Sequence, residues 1–177
     1  MDIGAKLKAG GVGVLATDTV YGLVARAFDR IAVERVYALK GRASTKPCII
    51  LISDISDLKQ FGVVVGDERE RILARFWPGP VSMVLPVSDA PEYLHRGTQT
   101  LAFRLPNDER LLALLKETGP LIAPSANPEG APPATTIIEA KNYFGDAVDF
   151  YDDAGERAGA PSTLISLDED NAILVLR

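Results

Sequence analysis

The chain has 177 residues, 47% of them hydrophobic, and a formal net charge of −5 from 19 basic and 24 acidic side chains. This charge disfavours broad coating of nucleic acid, which needs a basic surface to neutralise phosphates, but it permits one basic cleft. A single cysteine (Cys48) excludes an internal disulfide and a cysteine-rich metal site. A single histidine (His95) argues against a histidine-based zinc site or a catalytic triad.

No run approaches the roughly 18 apolar residues that a membrane-spanning helix needs. The first six residues lack the basic-then-apolar plan of a signal peptide. No internal repeat, low-complexity tract or linker divides the sequence. We therefore expect a cytoplasmic protein with a single domain over residues 1–177.

Short apolar runs alternate with amphipathic stretches along the chain. In chain order, the first half predicts a strand over Val12–Ala16, a helix capped by Asp29 and reaching Leu39, a strand over Cys48–Ile52, and short helices over Ser56–Phe61 and Asp67–Phe76. The middle predicts strands over Val81–Pro86 and Thr100–Arg104 and a helix capped by Asn107. The last part predicts a strand over Leu121–Ala123, a helix opened by a Thr136/Glu139 capping box, and strands over Thr163–Leu167 and Ile173–Leu176. Mixed strands and helices without a strict repeat indicate an α/β protein, with an open sheet covered by helices.

The sequence contains neither of two common nucleotide-binding motifs in its functional form. Gly11–Ala16 has the letters G-x-G-x-x-A of a dinucleotide fingerprint, but these glycines precede a predicted strand instead of following one. No G-x-x-x-x-G-K-S/T loop is present, which excludes a P-loop nucleotidase, and no G-x-S-x-G elbow is present either.

The first polar segment of interest, Thr17–Leu23, follows the first predicted strand directly. Ligands bind at strand ends in open α/β sheets, and two hydroxyls beside a tyrosine suit a small polar molecule. Taken alone, the segment is better explained as an Asx or Ser/Thr turn.

The second segment, Lys40–Pro47, places three cations within seven residues at a helix exit. Arginine chelates phosphoryl oxygens and lysine supplies a point charge, so this pattern suits a phosphate-binding loop. An offset of the helix dipole explains Lys40, but not Arg42 and Lys46, which lie beyond the helix.

The third segment, Ala123–Thr136, begins at a strand end and continues through small polar residues and prolines. Ser125 and Asn127, two positions apart, can both face one ligand. A proline-stiffened surface loop is the alternative.

Six motifs then occur in a specific order: Thr17–Leu23, Lys40-x-Arg42, Trp77–Pro80, Phe103–Pro106, Ser125-x-Asn127 and Ser162–Ile165. Together they resemble the YrdC-type domain of the threonylcarbamoyl-AMP synthase family, which serves the universal t6A modification of tRNA. The resemblance covers about residues 10–177. It implies an open, twisted, mixed β-sheet with helices on its faces and a concave, positively charged central cavity.

The resemblance also implies roles for individual residues. Lys40 and Arg42 correspond to the family's essential cations beside the triphosphate. Threonine would be bound by Thr19, Tyr21 and Ser162. ATP would be bound by Arg42, Lys46, Thr100, Arg104, Ser125, Asn127 and Arg177.

The family condenses L-threonine, bicarbonate or CO2, and ATP into threonylcarbamoyl-AMP and pyrophosphate, a nucleotidyl transfer. Such chemistry rests on positioning and cationic stabilisation, which suits a chain with one histidine and one cysteine. We expect Mg²⁺ to arrive with ATP and no metal to be held by the protein alone, because no carboxylate cluster in the sequence suggests a dedicated metal site. The product would pass to a tRNA threonylcarbamoyl transferase complex.

Five positions depart from the family pattern, and one of them, Ser166, stands where aspartate is common. Ala16 replaces a proline, Ser82 stands where threonine is commoner, and Glu129 stands where serine is frequent. Leu51 occupies the place of a threonine-contacting histidine in longer relatives, which favours the short, stand-alone type and leaves the strictness for threonine open.

Two other functions remain open from the sequence. A non-catalytic paralogue of the same fold would bind RNA or the ribosome locally through Lys40, Arg42, Lys46 and Arg104. A carbamoyl-transfer domain like that of hydrogenase maturation factors ranks lower, because those domains lie in longer chains with acylphosphatase and zinc-finger parts.

Overall fold

The computed structural model describes residues 2–157, 159–168 and 170–176. The helices in these ranges are α1 (Ile3–Lys8), α2 (Arg30–Lys40), α3 (Asp67–Leu73), α4 (Glu92–His95), α5 (Glu109–Thr118) and α6 (Ile137–Phe144), with short 3-10 helices at Ile55–Phe61 and Gly145–Ala147. The strands are β1 (Gly13–Ala16), β2 (Tyr21–Arg26), β3 (Ile50–Leu51), β4 (Val81–Pro86), β5 (Thr100–Arg104), β6 (Leu121–Ile122), β7 (Phe150–Asp152), β8 (Thr163–Leu167) and β9 (Ile173–Val175). None of these helices is long and apolar enough to cross a membrane.

All of these strands join one open sheet in the order β7-β1-β2-β6-β3-β5-β4-β8-β9. The pairs β1–β7, β3–β5 and β4–β8 are parallel, and the other pairs are antiparallel. The prediction of an open mixed sheet with helices on its faces is confirmed.

Apolar side chains cover both faces of the sheet. Along β1, Val14 packs into one buried cluster and Leu15 into another, and along β3 Ile50 and Leu51 divide in the same way. Successive side chains of a strand point to opposite faces, so the two clusters lie on the two sides of the sheet. This double burial explains why these strands read as continuous apolar runs instead of alternating ones.

Helix α2 leads into the predicted phosphate-binding segment, Lys40–Pro47. Asp29 caps it as predicted, with its carboxylate accepting a hydrogen bond of 3.0 Å from Ala32 N. The helix ends at Gly41, whose φ of 60° is the left-handed conformation that glycine adopts at low cost. Lys40 therefore closes the last turn, and Arg42 starts the loop that follows.

Two predicted helix caps need correction. Helix α5 is capped by Asp108, which accepts from Leu111 N at 2.9 Å, and not by Asn107. Asn107 instead donates its backbone N–H to Asp18 Oδ2. Thr136 does cap α6, but the Glu139 carboxylate binds Thr135 instead of closing a reciprocal box.

Strand β2 is the main element that the sequence did not predict, and α1, α4 and β7 were also missed. Tyr21–Arg26 begins inside the polar segment and contains Gly22, so its local pattern is that of a loop. It is a strand because β1 and β6 pair with it on either side. The predicted strand Cys48–Ile52 and helix Asp67–Phe76 are shorter in the structure, at Ile50–Leu51 and Asp67–Leu73.

Candidate functional site

The segments that flank several strands meet around a cavity of about 230 Å³. It lies where β1, β5 and β6 end and where β3 and β8 begin. The described residues that line it are Thr17, Thr19, Val20, Gly22, Arg42, Ile49, Arg104, Ala123, Pro124, Ser125, Pro133, Pro161 and Ser162. Cavities of about 530 and 600 Å³ lie elsewhere, but the predicted site residues converge on this one.

One end of the cavity is rich in hydroxyl groups. Thr17 and Thr19 are both buried, and their Oγ1 atoms are 3.1 Å apart. Thr17 Oγ1 donates to Val20 O at 2.6 Å, which fixes the turn between β1 and β2. The segment is thus a turn closed by a threonine hydroxyl, as predicted, and it also places both threonines in the cavity wall at the end of β1.

A buried arginine lies beside these threonines. Arg104, the last residue of β5, places Nη2 3.4 Å from Thr17 Oγ1 and 3.1 Å from Asp18 Oδ1. Burial lowers the pKa of Arg104, and the negative charge of Asp18 opposes that shift. Asp18 offsets the charge of Arg104, but Arg104 Nε has no hydrogen-bond partner among the described residues, so a donor of the guanidinium remains for a polar or anionic ligand.

Ser162 reaches the cavity from the start of β8. Its Oγ lies 2.8 Å from Ser82 Oγ, on the neighbouring strand β4, and both residues are buried. The chain before it passes close to the turn between β1 and β2, because a Cβ on Gly159 would lie 2.5 Å from Thr19 O. The absence of a side chain at Gly159 therefore lets this segment close against Thr19.

The cation loop, residues 42–47, borders the other part of the cavity. Arg42 donates from Nε to Lys46 O at 3.1 Å and from Nη2 to Pro47 O at 2.9 Å. Lys46 faces outward and forms an ion pair of 2.8 Å with Glu129 Oε1. Glu129 Oε2 accepts from Ala43 N at 2.9 Å, so one carboxylate ties both ends of the loop.

Lys40 holds the loop that follows β6. Only 3% of the residue is exposed, and Nζ donates to Ser125 O at 2.5 Å and to Asn127 O at 2.6 Å. Burial, followed by the charge of Arg42, lowers the pKa of Lys40 to about 8. The ammonium group is thus held inside the protein, where it anchors the Ser125–Asn127 segment instead of facing the cavity.

Ser125 and Asn127 form one hydrogen-bonded unit. Ser125 Oγ donates to Asn127 Oδ1 at 2.6 Å, while Asn127 Nδ2 donates to Pro128 O and Ala131 O. Ser125 lines the cavity and Asn127 stands behind it. The asparagine therefore shapes the loop that presents the serine.

The structure brings together five of the predicted site residues in the cavity wall. These are Thr19, Arg42, Arg104, Ser125 and Ser162. The described wall does not include Tyr21, Lys40, Lys46, Thr100 or Asn127. Arg177 lies outside the described residues.

Two of the predicted residues lie at a distance from the wall for a clear reason. Tyr21 is fully buried, and its hydroxyl donates to Gly155 O at 2.7 Å, so it holds the segment after β7. Thr100 begins β5 and Arg104 ends it, so the two are separated by roughly 13 Å along an extended strand. The Thr100 hydroxyl lies 3.3 Å from Thr98 Oγ1, away from the cavity wall.

Four further residues shape the site although the sequence assigned them no binding or catalytic role: Thr17, Asp18, Ser82 and Glu129. Thr17 and Asp18 lie inside the first predicted segment, where Asp18 stands between the hydroxyl-bearing residues Thr17 and Thr19. Ser82 contacts Ser162 only because β4 and β8 pair in parallel, 80 positions apart. Within the described ranges, no group of three or more His, Cys, Asp or Glu side chains is placed to hold a metal ion.

Comparison with known proteins gives consistent matches. Residues 5–177 match the Sua5/YciO/YrdC family model, described as telomere recombination. The chain is 37% identical over 172 residues to the threonylcarbamoyl-AMP synthase of Pyrococcus abyssi, covering 96% of this chain and 51% of that protein. It is 35% identical over 177 residues to the threonylcarbamoyl-AMP synthase of Bacillus subtilis, covering 97% of this chain and 51% of that protein.

A solved structure agrees with these matches. The crystal structure of P. abyssi Sua5 complexed with L-threonine superimposes with a TM-score of 0.90 and 36% identity, covering 98% of this chain and 52% of that protein. The chain thus spans about half the length of the curated relatives named above. Because the family model covers almost all of the sequence, the chain belongs to the Sua5/YciO/YrdC family.

Proposed function

We propose that this chain is a cytoplasmic nucleotidyltransferase that makes threonylcarbamoyl-AMP from L-threonine, bicarbonate and ATP, for the t6A modification of tRNA. One observation carries the proposal: a single cavity joins buried hydroxyls and an arginine at one end to a cation loop at the other. The names of the P. abyssi and B. subtilis relatives support this activity, and the threonine bound to P. abyssi Sua5 supports the amino-acid substrate.

Threonine would lie at the hydroxyl-rich end. Thr19 and Ser162 offer hydrogen-bonding groups for its polar atoms, and Arg104 offers a cation for its carboxylate. We expected Arg104 in the nucleotide site, but its position beside Thr17 and Asp18 favours a role toward the amino acid. Tyr21 would support this end indirectly, by holding the chain after β7.

The nucleotide would lie along the cation loop and the loop of Ser125–Asn127 that follows β6 (the serine loop). Arg42 and Ser125 line the cavity and would contact the phosphates and the nucleoside. Lys46 lies on the same loop as Arg42 with its side chain exposed, where its charge would attract a polyphosphate. Lys40 and Asn127 would act by shaping the serine loop. Mg²⁺ would enter with ATP as part of the substrate.

The reaction needs positioned charges more than a protein nucleophile. The unprotonated amine of threonine attacks the carbon of bicarbonate or CO2 and forms an N–C bond, with loss of water in the first case and release of a proton from the nitrogen to solvent in the second. An oxygen of the new N-carboxylate attacks the α-phosphorus, the bond to the β-phosphate oxygen breaks, and pyrophosphate leaves. Arg42 would stabilise the charge that develops on the phosphoryl oxygens. The product would pass to a tRNA threonylcarbamoyl transferase complex.

The test is pyrophosphate release from ATP, with L-threonine and bicarbonate each present or omitted, and with the product identified by mass. Release that needs both co-substrates supports the synthase. Arg42→Ala should abolish it with little loss of stability, whereas Arg75→Ala, an exposed arginine elsewhere, should leave it intact. A folded chain that binds ATP without turnover contradicts the proposal, and a salt-dependent affinity for RNA would then favour the binding paralogue.

A further inference from the structure

The orientation of Arg42 depends on a backbone carbonyl that it shares with a second side chain. Lys46 O accepts from Arg42 Nε at 3.1 Å and also from the Tyr37 hydroxyl at 2.9 Å. A carbonyl oxygen has two lone pairs, so both hydrogen bonds form at once. Tyr37 and Arg42 are thus joined through one atom of the cation loop.

The Tyr37 side chain is fixed by burial and by contact with Arg96. The residue lies on α2 and is only 6% exposed. The guanidinium carbon of Arg96 lies 3.9 Å from the centre of its ring, and Arg96 Nη1 pairs with Glu34 at 2.9 Å. Burial raises the pKa of Tyr37, so its hydroxyl remains protonated and able to donate at physiological pH.

Tyr37 and Arg96 are not among the described residues that line the cavity, so they do not touch a substrate placed there. Their effect on the site must pass through the loop backbone. The described loop contacts that orient the Arg42 guanidinium are its two bonds to Lys46 O and Pro47 O. A fixed Lys46 carbonyl therefore fixes one of the two acceptors that orient the Arg42 guanidinium.

We propose that Tyr37 is a positioning residue for Arg42, acting through the shared carbonyl of Lys46 while Arg96 keeps the Tyr37 ring in place. The inference deepens the proposed function, on which it rests only for the assignment of Arg42 to the ATP phosphates. The geometric part, that Tyr37 sets the orientation of Arg42, stands apart from any activity.

The first experiment tests that geometric part in the ligand-free protein. We expect Tyr37→Phe to shift the Arg42 Nε–H resonance in NMR spectra and to speed its exchange with solvent. The Arg26 Nε–H, which donates to Thr118 O at 2.9 Å away from the loop, is the internal control and should not change. An Arg42 resonance that stays unchanged overturns the proposal.

The second experiment measures ATP affinity by titration calorimetry. Loss of one hydroxyl-to-carbonyl bond should weaken ATP binding by about three- to tenfold in Tyr37→Phe. Tyr151→Phe removes a similar bond, to Gly145 O at 2.7 Å, outside the cation loop, and should change affinity less than about twofold.

A double-mutant cycle separates positioning from a general structural effect. In an Arg42→Met background, Tyr37→Phe should add almost nothing to the loss of affinity, because its target is already gone. Additive losses overturn the proposal. If Tyr37→Phe fails to fold, Arg96→Met takes its place in the same cycle and the same NMR comparison, with a smaller shift expected in the same direction.

The two proposals fail in different ways. A wild-type chain that binds no ATP contradicts the proposed function, and the NMR comparison then decides alone whether Tyr37 orients Arg42. A wild-type chain that binds ATP, with an unaffected Arg42 in Tyr37→Phe, contradicts the positioning role and leaves the proposed function standing.

Discussion

Arg104 Nη2 lies 3.1 Å from Asp18 Oδ1, and the two side chains are only 5% and 7% exposed. The pair joins the end of β5 to the turn after β1, so it fastens the hydroxyl-rich end of the cavity to the middle of the sheet. A buried pair of this kind adds little stability by itself, but breaking it leaves an uncompensated charge.

Asp18→Asn should therefore lower the free energy of unfolding by about 3 kcal/mol, because Arg104 would keep its charge without a carboxylate partner. Urea denaturation measures the change. Glu117→Gln breaks the Lys8–Glu117 pair, in which both side chains are about half exposed, and should cost less than about 0.5 kcal/mol. Equal effects of the two variants would show that burial of the Asp18–Arg104 pair does not matter.

Gly159 should be required for threonine binding. Its Cβ position lies 2.5 Å from Thr19 O, a backbone atom that yields only if the turn moves. Gly159→Ala should therefore displace Thr19 from its position in the cavity wall and weaken L-threonine binding by about fivefold or more. Gly66→Ala, where nothing lies within 4 Å of the added Cβ, is the matched control. Unchanged threonine affinity in Gly159→Ala would place the amino acid elsewhere.

The titration of Lys40 should make the affinity for ATP depend on pH near pH 8. The Lys40 ammonium group holds Ser125 O and Asn127 O, and its pKa is lowered to about 8. ATP affinity should therefore fall as the pH rises from 7 to 9, because the neutral amine holds both carbonyl groups through weaker hydrogen bonds without charge assistance. Calorimetric titration of ATP at several pH values measures this. Lys40→Met should bind weakly at every pH, and Lys116→Met, at an exposed position, should keep the wild-type profile.

The stability of the fold should respond to the same titration with the opposite sign. Below pH 8 the folded and unfolded chains both carry a protonated Lys40, so the cost of burying the charge is fully present. Between pH 8 and about 10.5, the folded chain releases this proton while the unfolded chain retains it. The contribution of Lys40 to the unfolding free energy should thus rise across that window, by on the order of 3 kcal/mol.

Much of the fold could be predicted because local sequence signals agree with the final structure. Asp29 and Gly41 mark both ends of α2, and this alone places Lys40 and Arg42 at a helix exit beside a buried strand. Strand β2 was missed because pairing with strands on both sides, and not the composition of Tyr21–Arg26, makes it extended. The choice between Asn107 and Asp108 as a cap likewise depended on a distant residue, Asp18.

The location of a candidate site residue could be predicted where the residue lies at a strand end. It could not be predicted where it depends on a contact with a residue distant in sequence. Thr19, Ser125 and Ser162 follow or precede strands, so their positions could be anticipated. The partner of Ser162, Ser82, depends on strand order. The inward turn of Lys40 depends on carbonyl groups more than 80 positions away, which no local pattern encodes.

Glu129 should reduce the affinity of the cation loop for ATP. Its carboxylate accepts from Lys46 Nζ at 2.8 Å and Ala43 N at 2.9 Å, as a phosphoryl oxygen could, and these contacts lower the pKa of Glu129. A polyphosphate entering the cavity meets this negative charge and competes with it for Lys46. Glu129→Gln should therefore lower the KM for ATP about threefold at low ionic strength, with kcat nearly unchanged.

Salt and a matched variant make the Glu129 prediction specific. Both groups of the Lys46–Glu129 pair are well exposed, at 60% and 37%, so the difference between Glu129→Gln and wild type should shrink as ionic strength rises. Glu139→Gln removes another exposed carboxylate, one that binds Thr135 instead of the cation loop, and should leave the KM for ATP unchanged. A higher KM in Glu129→Gln would mean that the carboxylate organises the loop for the nucleotide, and the competition argument would be wrong.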